Sequence, residues 1–314
     1  MKKRMIVTLY AILFAVVFIA SALISMNITG SAPQRLLKVD YNGNVYTDLS
    51  YQNANGHKYD LYLPENLDME ETQNLILFIH GGSFNSGSKE DFEAWCRYYA
   101  AKGYITATVD YTLQNQGMDA DLDLMNGEVK NCVDAIAVYC QTLGIHLEGM
   151  AVSGVSAGGT LALNYAYKCA QSSAIPVKFV FQLAGPTYFE PDDWDILMRV
   201  NKIKTQREFV EIMTGVQLSD EQMKSGEYKK YIDEISPAML VDITSVPTLC
   251  GYGLKDHLVP ASSRETLITA LESNDVAFDY IPFPNSNHGM YADLNALQEF
   301  IDLSLMYCDR YFNQ

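Results

Sequence analysis

The sequence predicts an α/β fold, a mostly parallel central sheet with helices on both faces, and three observations carry that prediction. The continuous apolar run 75–79, of strand length, suits a strand covered on both sides, and 179–183 is another strand of that buried type. Strand-like and helix-like stretches alternate along the 314 residues, the pattern of a parallel sheet with crossover helices. Residues 150–160 read as strand, sharp turn and helix, with Gly154 and Gly158 flanking Ser156.

Taken in order, Lys2, Lys3 and Arg4 precede an uncharged stretch over 5–26, long enough at about 1.5 Å per residue to cross a hydrocarbon core. Residues 1–32 therefore form a separate unit, a membrane anchor or a signal sequence cut near Gly30, Ser31 and Ala32. The length favours the anchor, and the basic start places the remaining domain, 33–314, outside the cytoplasm. Stretches 36–41 and 57–63 are expected strands, pairing antiparallel at the sheet edge, the second showing alternation at Tyr59, Leu61 and Leu63 before Pro64. The buried strand 75–79 ends in His80-Gly81-Gly82-Ser83-Phe84. A helix over 91–102 follows from the spacing of Phe92, Trp95, Cys96 and Tyr99, and Gly103 stops it. Strand 104–109, helix 126–143, the 150–160 unit and strand 179–183 come next. Strands 248–252 and 277–283 and helices 262–271 and 295–311 complete the series. Between them, 187–241 is a helix-rich insert carrying Trp194, Met198, Phe209, Met213 and Tyr231, expected to be a packed subdomain and a lid over the site.

Composition narrows the function. With 48% hydrophobic and 19% charged residues the chain can build one large core, which excludes a disordered protein. A net charge of −16 excludes nucleic acid as a partner and favours a neutral substrate. The six cysteines show no C-x-x-C spacing, so metal binding is not expected, and buried free thiols are the default even though export would permit disulfides.

A turn such as that at Ser156 lifts a hydroxyl clear of the sheet, and the N–H of Ala157 then points where an attacked carbonyl oxygen becomes negative. A serine needs a base and an orienting acid, in the chain order serine, acid, histidine. Of five histidines, His57 falls in a strand, His146 in a loop before the turn and His80 in the glycine turn, which leaves His257 and His288. His288 lies in a polar loop after the last strand and is the expected base. Asp256 follows strand 248–252 and is the expected acid, with Glu190 or Asp195 as the alternative. His257 should face solvent, and Asp192, Asp193 and Asp195 should cap a helix in the insert. The N–H groups of Gly82 and Ser83 would join that of Ala157 in an oxyanion hole, with His80 bracing the turn.

The segments His80-Gly81-Gly82-Ser83-Phe84, Gly154-Val155-Ser156-Ala157-Gly158-Gly159, Gly253-Leu254-Lys255-Asp256-His257-Leu258-Val259-Pro260 and His288-Gly289 resemble the α/β-hydrolase esterases related to hormone-sensitive lipase and the bacterial feruloyl-esterase-like carboxylesterases. The resemblance spans roughly 59–311 and implies Ser156 as nucleophile, Asp256 as acid, His288 as base, and Gly82, Ser83 and Ala157 as oxyanion donors. Many relatives have a third glycine where Ser83 stands, a change expected to matter little because the backbone N–H acts. Asp110-Tyr111-Thr112-Leu113 lacks the Arg of their Asp-Tyr-Arg-Leu segment, so the subfamily is left open. The implied reaction is hydrolysis of a neutral ester, including acyl groups carried by carbohydrates, with no metal or organic cofactor. A membrane-tethered serine peptidase and a catalytically idle binding domain of the same fold are the alternatives.

Overall fold

The computed structural model describes residues 35–51, 57–114 and 120–313, so the expected anchor over 1–32 lies outside the described residues. Among the described residues no helix is long and apolar enough to cross a membrane. Eight strands among the described residues form one sheet: β1 (Val45–Ser50), β2 (Lys58–Tyr62), β3 (Gln73–Ile79), β4 (Ile105–Val109), β5 (Leu147–Val155), β6 (Val177–Leu183), β7 (Thr248–Gly253) and β8 (Phe278–Phe283). Their order is β1-β2-β4-β3-β5-β6-β7-β8. The pairs β1·β2 and β2·β4 are antiparallel and all the others parallel.

Alternation along β3 divides the core. Leu75, Leu77 and Ile79 face one side with α2 (Leu122–Thr142), α3 (Ala157–Cys169) and α9 (Ala261–Ser273). Ile76 and Phe78 face the other, against α1 (Glu93–Ala100) and α10 (Leu294–Tyr311). Each fully buried side chain of this size contributes about 1.5–3 kcal/mol, which is why both faces of the parallel strands are apolar. Lys89, also buried, places Nζ 3.0 Å from Asp60 and 2.8 Å from Glu90, fixing the turn before α1 to β2.

One expected strand is corrected. Residues 36–41 begin with the end of a helical turn and continue without regular structure, and the edge partner of β2 is β1. Leu37 is apolar because it packs with Tyr62 in the core rather than because it pairs. The true edge strand is partly exposed and so lacks a strong apolar signal.

Between β6 and β7 stand α4 (Asp195–Val200), α5 (Gln206–Thr214), α6 (Asp220–Ser225), α7 (Lys229–Ile235) and α8 (Pro237–Leu240). Trp194 stacks between Phe189 at 5.3 Å and Phe209 at 6.3 Å and anchors them. The expected caps at Asp192, Asp193 and Asp195 are also corrected: Glu190 and Trp194 occupy the N-cap positions, and no side chain caps either helix. Asp193 instead accepts from the hydroxyl of Ser262, and Asp192 from Gln206. All six cysteines are free, five buried and Cys169 half-buried, and burial raises the thiol pKa values.

Candidate active site

β5 delivers Ser156 to the carboxyl edge of the sheet, with φ +55° and ψ −124° as the N-cap of α3. Neither flanking glycine can carry a side chain: a Cβ on Gly154 would lie 2.2 Å from the Gly158 carbonyl oxygen, and one on Gly158 2.0 Å from that of Ile79. The strained residue is pinned by Ser156 N–H donating to Leu183 O at 2.8 Å. Ala157 opens the helix, where first-turn N–H groups have no intrahelical acceptor.

Three side chains from separate loops meet here. His288 Nε2 stands 2.9 Å from Ser156 Oγ, and its Nδ1 stands 2.8 Å from Asp256 Oδ2. A carboxylate only accepts, so the imidazole proton sits on Nδ1 and Nε2 is left to accept from the serine hydroxyl. The other Asp256 oxygen accepts from the N–H groups of Leu258 and Val259, which fixes the carboxylate after β7. The His288 loop is latched by Asp293, whose carboxylate accepts from Asn285 N–H and from the Ser286 hydroxyl. His257 is exposed, and Glu190 accepts from Tyr228 OH at 2.6 Å, so neither belongs to this constellation.

The turn after β3 forms the opposite wall. A Cβ on Gly81 would lie 3.2 Å from that of Ser156, so the backbone approaches Ser156 closely. The Gly82 carbonyl accepts from Asn85 N–H, Ser86 N–H and the Ser86 hydroxyl at 3.0, 3.0 and 2.9 Å. In a trans peptide the Ser83 N–H points opposite to that carbonyl, so these bonds also set its direction. His80 pairs its Nδ1 with Gly81 O at 2.8 Å and stacks on Tyr111, ring centroids 4.3 Å apart, while Tyr111 OH donates to His80 O at 3.0 Å. Burial lowers the His80 pKa, which keeps that imidazole a neutral brace.

Ser86, Tyr111 and Asp293 are support groups that sequence reasoning missed. Only the polar run after Gly82 and the loop before α10 hinted at two of them. Gly82, Ser83, Ser156 and His288 line a cavity of about 620 Å³ whose other walls include Phe92, Trp95 and Leu183. No residue of the insert lines it; the insert meets the site through Phe189, 6.4 Å from Phe84 of the glycine turn. A cavity of about 650 Å³ lies between insert and core, and its polar groups are largely committed to one another or to backbone, as in Asn85 to Asn201 at 2.6 Å and Glu208 to Lys204 N–H. The smaller cavity is the one that Ser156 and His288 line.

The BD-FAE family model matches residues 59–271. A kynurenine formamidase of Danio rerio is 30% identical over 115 residues, 37% of this chain and 36% of that protein. A non-reducing polyketide synthase of Stereocaulon alpinum is 30% identical over 146 residues, 43% of this chain and 6% of that protein. The chain thus spans only a minor part of these curated relatives. Among solved structures, a truncated carbohydrate esterase from gut microbiota has a TM-score of 0.67 at 17% identity, covering 87% of this chain and 97% of its own. Esterase B of Lactobacillus rhamnosis has 0.65 at 17%, covering 94% and 98%. A propionate-bound thermophilic esterase of Thermogutta terrifontis has 0.64 at 18%, covering 85% and 93%. At such identities these likenesses establish the α/β-hydrolase fold.

Proposed function

The chain belongs to the BD-FAE family and has the α/β-hydrolase fold, and from that premise we propose that it is a serine esterase that hydrolyses neutral acyl esters outside the cytoplasm with Ser156, His288 and Asp256 as its catalytic triad. The observation that carries the reading is the unbroken relay from Asp256 through both nitrogens of His288 to Ser156. His288 takes the hydroxyl proton as Ser156 attacks the ester carbonyl, and Asp256 stabilises the imidazolium that forms. The negative oxygen rests on the N–H groups of Gly82, Ser83 and Ala157. His288 then protonates the leaving alcohol, and water repeats the cycle on the acyl-enzyme.

Carbohydrate acyl esters are the proposed substrate class, supported by the family resemblance and by the carbohydrate esterase that shares the fold. The basic residues before the uncharged stretch 5–26 support a tether on the inner side of a membrane with the hydrolase domain outside. Fluorophosphonate labelling of the intact protein and of Ser156→Ala tests the nucleophile: the parent should label and the variant should not. Release of acetate from acetylated xylan tests the substrate, and protease accessibility in intact cells tests the side of the membrane. The formamidase relative favours a second reading, amide cleavage. Turnover of p-nitroformanilide faster than of p-nitrophenyl acetate would select it.

A further inference from the structure

Three consecutive residues of the turn after β3 have positive φ: Gly82 at +113°, Ser83 at +53° and Phe84 at +63°. A side chain makes that backbone region unfavourable, and glycine enters it freely. At Phe84 the penalty is offset by burial, since the ring is 1% exposed and lies against Phe189. Ser83 has no such offset. It is half-buried, and among the described residues its hydroxyl makes no hydrogen bond, whereas the hydroxyl of Ser86 nearby is committed to Gly82 O. A glycine here would relieve the strain and present the same N–H. Backbone strain retained in the wall of a reactive cavity points to a use for the side chain that causes it, and Ser83 lines the cavity together with Ser156 and His288.

We propose that the Ser83 hydroxyl is itself a catalytic group, a side-chain donor to the acyl oxygen as that oxygen becomes negative. No bond to Ser83 forms. The Ser156 Oγ to carbonyl carbon bond forms, the C=O electron pair moves to oxygen, and the Ser83 O–H donates a hydrogen bond while keeping its proton. The inference rests on Ser156 being the nucleophile.

The test is the kinetics of Ser83→Ala and Ser83→Gly on p-nitrophenyl acetate, with Ser156→Ala alongside and thermal melting of each. Ser83→Gly keeps the N–H and removes the strain, so a loss of rate in a variant melting at or above the parental temperature is not a folding defect. Both variants should lose roughly 10- to 100-fold in kcat at a nearly unchanged KM. The inhibition constant of a trifluoromethyl ketone, whose adduct carries the same oxyanion, should rise by the same factor. Parental kcat in either variant overturns the proposal, and so does a raised KM at unchanged kcat, the mark of binding made equally to substrate and transition state. Loss of turnover in Ser156→Ala with parental Ser83 variants overturns this proposal alone; retained turnover in Ser156→Ala overturns the nucleophile and this proposal together.

Discussion

His288 places its Nε2 2.9 Å from the hydroxyl of Ser156, a residue 132 positions away in the sequence. Two loops from different strands have to be held for that distance to persist, and each has its own latch: Leu183 O on the Ser156 N–H, and Asp293 on the His288 loop. Ser156→Ala should lower kcat for p-nitrophenyl acetate by about 10³-fold or more while melting as the parent does. Asp256→Asn should lose about 10²- to 10⁴-fold, because the amide no longer selects the tautomer that leaves Nε2 open. His257→Ala, one residue along and exposed, should keep its rate; a collapse in that variant would move the orienting role away from Asp256.

Tyr111 acts at one remove from the chemistry. Its hydroxyl holds the His80 carbonyl and its ring carries the His80 imidazole, so it sets the start of the turn that presents Gly82 and Ser83. Tyr111→Phe leaves that buried carbonyl without its donor, a loss of about 1–3 kcal/mol. Urea unfolding should report the lost stability. With the turn holding the oxyanion as proposed, kcat should fall with KM little changed; an equal loss of substrate binding would contradict the positioning role.

Asp110, at the end of β4, gives a pH-dependent test. Burial raises its carboxyl from 3.8 to about 6, against the lowering effect of the Lys89 N–H that donates to it at 2.7 Å. The folded state therefore holds the proton more tightly than the unfolded chain. The contribution of the group to stability is complete below its unfolded pKa and is lost as pH rises through the folded one. Asp110→Asn keeps an acceptor for Lys89 N–H and never ionises. Its melting temperature, relative to the parent, should climb between about pH 4 and pH 8 by a few degrees. Subtracting the parent at each pH removes the opposite trend from His80, whose lowered pKa makes the fold lose stability as pH falls. A difference that stays flat with pH would show that Asp110 ionises without strain in the folded protein.

The parallel half of the sheet was legible because strands such as β3 and β6 are covered on both faces and so read as mostly apolar stretches, 75–79 in β3 without a break. The edge was not: β1 alternates between half-exposed and exposed residues and carries no such run, while Leu36 and Leu37 imitated one from a helical turn. The residues that meet at the candidate site were legible for a different reason. An elbow requires glycines at two fixed offsets, and so few histidines compete for the base that elimination nearly identifies His288. Support groups such as Tyr111 and Asp293 act through side-chain hydrogen bonds to turns outside their own segments, and no local pattern of residue types announces them. Likewise nothing local announced that the insert would meet the glycine turn through Phe189 on Phe84 and leave the cavity at Ser156 to other walls.

That cavity should set the choice of ester. Phe92, Trp95 and Leu183 give it apolar walls, and among the described residues the one carboxylate lining it is Asp91, already accepting from Ser88 N–H. Each methylene buried against such walls is worth about 0.8 kcal/mol, or roughly fourfold in kcat/KM. The rate constant should therefore rise from p-nitrophenyl acetate to the butyrate and stop rising once the chain outgrows about 620 Å³. A hemisuccinate ester of butyrate-like length would bring a second carboxylate into a space where the described residues offer no ammonium or guanidinium group. It should fall well below the butyrate, and Asp91→Asn should narrow the gap by removing the nearest like charge. Equal rates for butyrate and hemisuccinate would mean that the acyl group does not enter this cavity, and would assign its apolar walls to the leaving alcohol instead.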